Sequence, residues 1–219
     1  MQSLTAVSDL ADAVLPLIRT RADLWRWSAA NVHGRYMHEA VAILEEAADT
    51  EDPAVVFAVT RKAIASALKV IMRADDSSGI IGDACRALLD LHPKVAAAAK
   101  PPAAKLVDWM IKSQFDNECD YFAIDPVACA PALDENGTAS YRAKLADLEA
   151  SLGPRPQEDE RWTVPHRAEW LTLDRIRLRS RGRPVHRRAA RVQPPPSAAA
   201  TGVRPRRTAL INVIRGRSR

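Results

Sequence analysis

The residues best suited to chemistry begin with His33, His38 and Glu39. A helix turns 100° per residue, which sets the two histidines about 140° apart. That is not the i, i+4 pair with which a H-E-x-x-H helix grips one ion. Gly79-Ile80-Ile81-Gly82 follows Ser77-Ser78 and has the glycines of a phosphate turn, but Asp75, Asp76 and Asp83 surround it with repelling charge. Neither G-x-x-x-x-G-K-[ST] nor G-x-G-x-x-G occurs, and Ser77 or Ser78 is expected to cap the next helix. Asp116, Glu118, Asp120 and Asp125 imitate a calcium loop only in charge. Counted from Asp116, the sixth position is Tyr121 and the twelfth Val127, where an EF-hand needs Gly and Glu. Cys85, Cys119 and Cys129 have no C-x-x-C spacing and are expected as reduced, partly buried thiols. No G-x-S-x-G elbow is present. The reading is therefore a non-enzyme, with no catalytic residue, metal ligand or cofactor site. Trp25, Trp27 and Trp109 could stack on bases, but on helices they are expected as core or hairpin-interface residues.

The elements that carry these residues are helical. Leu4, Val7, Ala11, Val14 and Ile18 share one face of a first helix that Pro16 is expected to kink or end. A short helix is expected over 24–30. Tyr36, Met37, Ala40, Val41, Leu44 and Ala47 line a helix over 33–48. Asp52-Pro53 starts another, with Val56, Val59, Ala63, Ala67, Leu68, Ile71 and Met72 as its buried stripe. Ile81, Ala84, Cys85, Leu88 and Leu89 follow, and His92-Pro93 is expected to stop that helix. Leu106, Val107, Met110, Ile111 and Phe115 line the next. Asp125-Pro126 starts a short helix, Thr138 is expected to cap the following one, and Gly153-Pro154 closes the domain. A last helix is expected over 166–178. With eight Gly, 5% aromatic residues and no strand pattern, a β-sandwich is excluded.

The predicted fold class is all-α: antiparallel helical hairpins stacked as a short irregular α-solenoid or bundle, followed by a disordered tail. The pairs near 33–73 and 78–115 have hairpin length. The domain boundaries expected are 1–153 for the helical domain, 154–174 for a linker with one more helix, and 175–219 for the tail.

The net charge of +5 over 219 residues conceals two unlike regions. Residues 1–154 hold 15 Lys and Arg against 22 Asp and Glu, a net −7. Residues 155–219 hold 17 against 5, a net +12. From Arg175 onward there are 14 Arg, with no Lys and no acid. Arg, Pro, Ala, Gly, Ser and Val fill 35 of those 45 positions, the residues that GC-rich codons encode in almost any frame. Three readings stand: a change of reading frame or mis-placed end, a disordered linker, or a polyanion-binding arm using Arg187, Arg188, Arg191, Arg204, Arg206 and Arg207.

Five strings together resemble a known family. They are 24–41 (LWRWSAANVHGRYMHEAV), 74–93 (ADDSSGIIGDACRALLDLHP), 105–116 (KLVDWMIKSQFD), 120–133 (DYFAIDPVACAPAL) and 161–174 (RWTVPHRAEWLTLD). They are similar to an uncharacterised bacterial family of long helical-repeat proteins whose members often carry a SWIM-type zinc finger upstream. The resemblance covers about 20–174 and implies a helical scaffold. It supplies no catalytic residue, and the zinc-finger pattern itself is absent from this chain. It also implies that the chain is an internal piece of a longer protein.

The expected function is a non-enzymatic protein-interaction module, with Arg35, His38, Glu39, Asp75, Asp76, Ser77 and Ser78 as candidate contacts. The alternative is a nucleic-acid-associated protein using the Arg-rich tail. Self-association through an uncapped helical end is also expected. No secretory or membrane-spanning segment is legible, and the chain reads as cytoplasmic.

Overall fold

Asp52 shows how this sequence punctuates its helices. Its carboxylate accepts from the Ala54 N–H at 2.8 Å and Pro53 occupies the first turn, which needs no N–H donor there. Asp125 repeats the device before Pro126, accepting from Val127 and Ala128. The computed structural model describes residues 2–115, 124–155 and 166–180, all within the unit Met1–Val185. The Arg-rich tail beyond 180, with its six candidate arginines, lies outside the described residues, as does Cys119.

Seven helices are present among the described residues: α1 (Gln2–Ile18), α2 (Trp27–Thr50), α3 (Pro53–Ile71), α4 (Ile80–Ala99), α5 (Ala103–Phe115), α6 (Pro126–Ser151) and α7 (Arg167–Ser180). No strand forms there, only one isolated bridge between Leu24 and Ala74. The fold is all-α. α1 packs with α2, α3 with α4 and α5 with α6. The hairpins then stack, α1 on α3, α2 on α4 and α4 on α6, with α7 against α6 and α5. This is the stacking of a short α-solenoid.

The pairing is offset by one helix from the expected one. Hairpins near 33–73 and 78–115 would join α2 to α3 and α4 to α5. Instead the longer connections, 19–26 and 72–79, lie inside hairpins, and the tight turns at 51–52 and 100–102 lie between them. Helix lengths carry no record of which connection folds back.

Several boundaries also differ. Of the short helix expected over 24–30, only 27–30 is helical, as the first turn of α2; residues 24–26 are not helical. α4 runs through Pro93 to Ala99. A mid-helix proline costs about 3 kcal/mol, but Leu88 and Leu91 before it and Val95 and Ala96 after it are all buried in one core. Their burial, at roughly 1.5–3 kcal/mol for each large side chain, outweighs that cost. α1 likewise passes Pro16 and ends at Ile18. α6 is interrupted at Asp134, whose φ is 55°. There the Asp134 carboxylate accepts from the Gly137 N–H at 2.8 Å, and the Thr138 hydroxyl donates to the Asp134 carbonyl at 2.7 Å. Asp134, not Thr138, restarts the helix.

The core is one continuous cluster. Val14 and Ile18 of α1, Met37 and Leu44 of α2, Val56 and Val59 of α3, Ile81 and Leu88 of α4, Leu106 and Met110 of α5, and Leu133 of α6 are all essentially inaccessible. Tyr36 and Met72, expected in the stripes, are about half exposed. Tyr36 sits 100° from Met37 on the helix and Met72 lies just past the end of α3.

Candidate functional site

The connection 72–79 is held by its own acids. Both Asp76 oxygens accept backbone N–H groups of α4, from Ile81 and from Gly82, each at 2.9 Å. Asp76 is the cap, in place of Ser77 or Ser78; the Ser78 hydroxyl stands 3.5 Å from the Ile80 nitrogen. Gly79 takes a left-handed φ of 77°, which lets the chain turn back to place Asp76 there. A Cβ on Gly82 would meet Asp76 Oδ2 at 2.8 Å, so a side chain there would push the tip of the capping carboxylate aside. The N–H groups that a phosphate would need are thus already occupied. Asp75 accepts from the Ser77 N–H at 3.1 Å.

This connection is joined to the one before α2. The Asp75 N–H donates to the Leu24 carbonyl at 2.9 Å, and Arg73 donates to the Thr20 carbonyl. Leu24 is buried, and it anchors a segment whose next aromatic residues face water. Trp25 is 66% exposed and Trp27 58%, while Met72 is 46% exposed at the same end of the stacked hairpins. The expectation of buried tryptophans fails for these two. Leu24 and Ala30 take the inward positions, and residues 25 and 27 fall between them. Only Trp109 matches it in part, half-buried and stacked on His92.

Arg35, His38 and Glu39 lie on the outer face of α2, all exposed. His38 stands eleven residues into α2, about 16 Å along its axis from the 19–26 connection. It does not converge with Asp75 and Asp76 into a site. Ser77 and Ser78 are exposed beside the tryptophan end.

The buried titratable groups are structural. His33 Nε2–H donates to the Ile18 carbonyl at 2.8 Å, and burial holds its pKa below the ordinary 6.5. His92 lies between Trp109 (ring centroids 4.2 Å apart) and Phe57 (5.4 Å), with the Arg61 guanidinium over both Trp109 and Phe57. Burial first, and Arg61 second, push the His92 pKa down to about 3. The ring is neutral near pH 7 and out of range for acid–base catalysis there. The Cys129 thiol is pushed up to about 12 by burial, then by Asp125, so it is no nucleophile. Tyr141 donates to Gln114 Oε1 at 2.8 Å and Gln114 donates to the Ile124 carbonyl at 3.1 Å, tying α5 to α6. Among the described residues, no group of three His, Cys, Asp or Glu could hold a metal. At the opposite end of the hairpins a cavity of about 360 Å³ has Val56, Leu91 and Val95 as its apolar wall, with Glu45, Asp49 and Lys94 at its rim.

A family model matches residues 9–193. The chain belongs to a family of unknown function, DUF6880. No curated protein and no solved structure matches it. The DUF6880 match extends past residue 174, where the resemblance was expected to stop. The structure agrees there: Leu173 and Ile176 of α7 are buried, and Arg177 pairs with Glu149 of α6. The Arg-only stretch therefore begins inside a packed DUF6880 helix. No described helix is long and apolar enough to cross a membrane.

Proposed function

We propose that this DUF6880 chain is a non-enzymatic protein-interaction module that receives its partner at the tryptophan end of the stacked hairpins. The observation that carries the reading is the pair Trp25 and Trp27, exposed at the end of the hairpins that also exposes Met72, on a backbone fixed by the Leu24–Asp75 hydrogen bond. Tryptophan is enriched among residues that dominate interface energies, and an exposed apolar group on a rigid base marks such a surface. Ser77 and Ser78, exposed alongside, supply hydroxyls for a polar rim. The resemblance adds a setting, a place downstream of a SWIM-type zinc finger in longer relatives. The buried Cys129 thiol, which enters no disulfide, fits work in the reducing cytoplasm. Photo-crosslinking tests the reading. The full chain carrying a benzophenone side chain at position 25 should join to a discrete protein in source cells. The same group in place of Ala65, exposed on α3, should not. Identical products at both positions would refute it.

The second reading is nucleic-acid association, supported by 14 Arg without one acid across 175–219. It predicts binding of a labelled 20-base-pair DNA or RNA duplex that weakens steeply with salt. Replacing Arg187, Arg188, Arg191, Arg204, Arg206 and Arg207 by serine in the full chain should abolish it. Unchanged binding in that variant removes the reading.

A further inference from the structure

The first hairpin has a bare side. On α2, His33 bonds to α1, while the Gly34 backbone lies against Ile80 of α4, with 2.5 Å from a built Cβ to Ile80 Cγ2. Helical rotation of 100° per residue then gives the face turned away from α4: Val32 and Tyr36, both exposed, with Ala29 and Ile43 on the same face partly buried against the core. Their spacing is 3, 4 and 7, the signature of an apolar stripe that packs on another helix. In α2, Val32 is 48% and Tyr36 49% exposed.

We infer that this stripe is a self-association surface, covered by α2 of a second copy of the chain in antiparallel, two-fold arrangement. Charge complementarity selects that occupant. Arg35 and Glu39 are exposed on the same flank of the stripe, about 40° apart around the helix. A two-fold axis near residue 37 sets Arg35 of each copy opposite Glu39 of the other, twice. The same axis brings the Tyr36 rings together and Val32 within about one residue of the second copy's Ile43. An isologous interface must be self-complementary in this way, and one flank of α2 supplies both signs at the spacing required. The surface is separate from the tryptophan end, so the two readings stand or fall independently.

Light scattering and sedimentation of the full chain over a concentration series test the inference. The native chain should show a concentration-dependent dimer. Val32→Glu or Tyr36→Glu should weaken it at least tenfold with unchanged circular dichroism, since both side chains are exposed. Arg35→Glu alone places Glu against Glu, and Glu39→Arg alone places Arg against Arg, so each variant should be more monomeric. Mixing the two single variants restores opposite charges at both contacts, and the dimer should return. A monomer at all concentrations would overturn the inference. So would a dimer indifferent to these substitutions, one lost instead in Trp25→Ala/Trp27→Ala, or no recovery on mixing.

Discussion

Two groups of aromatic residues in this molecule have opposite fates. Phe57 and Trp109 close over His92 between α3, α4 and α5, with Arg61 laid across them. Trp25 and Trp27, at the other group, are held out into water by a connection whose backbone is tied to Asp75. The difference is register. Residues 57 and 109 fall on or beside a core stripe, whereas 25 and 27 fall between the inward positions of Leu24 and Ala30. The first group holds the solenoid together. The second faces water, the arrangement on which the proposed partner surface rests.

The comparison can be broken most forcefully at the buried stack. Trp109→Ala should lower the unfolding free energy by about 3 kcal/mol, read as a shift of the urea midpoint at constant slope. An effect below about 0.5 kcal/mol would show the stack to be ornamental.

Acid should sharpen it next. The His92 pKa is about 3 in the folded chain against an ordinary 6.5. Between those values the unfolded chain binds more protons, so stability rises with pH there and is lost as pH falls through 6.5 toward 3. From pH 7 to pH 5 the folding constant should drop about 25-fold from this group, or about 2 kcal/mol. His92→Phe keeps a ring in the stack and removes two nitrogens that have no hydrogen-bond partner among the described residues. It should be at least as stable at pH 7 and should lose that part of the acid sensitivity. Equal pH slopes in the two proteins would contradict the assignment.

A smaller effect is expected at the base of the exposed group. Asp76→Ala removes the cap of α4 and should cost about 1–2 kcal/mol. Gly82→Ala crowds the same carboxylate but gains about 1 kcal/mol of helix propensity, so it should cost less than Asp76→Ala. The smallest effect belongs to the tryptophans themselves: Trp25→Ala and Trp27→Ala should each change stability by less than about 0.5 kcal/mol. A larger loss would mean that they hold the fold.

Much of the fold was legible in the sequence because helical periodicity and Asp-Pro caps are local. Asp52 and Asp125 behave as their letters say. The hairpin phase was not legible, since connection length and sequence do not state which helices fold back on each other. Pro93 misled because a local penalty is read without the burial that outweighs it. Ser77 and Ser78 masked the true cap, yet Asp76 at five and six residues before two helical N–H groups, with Gly79 between, was a usable signal. Exposure of Trp25 and Trp27 was hidden because they stand at a helix start, where one turn gives no face. Arg35 and Glu39 were singled out from sequence, but their setting beside a bare apolar stripe needed the packing of α2 against α1 and α4.

The most direct test of the interaction reading takes the protein cross-linked at position 25 and measures its affinity for the native chain and for Trp25→Ala/Trp27→Ala. Two hot-spot tryptophans should make the double variant weaker by at least thirtyfold, about 2 kcal/mol, with its urea midpoint unchanged. Equal affinity for both chains would contradict the proposal that the tryptophan end is where this DUF6880 chain meets its partner.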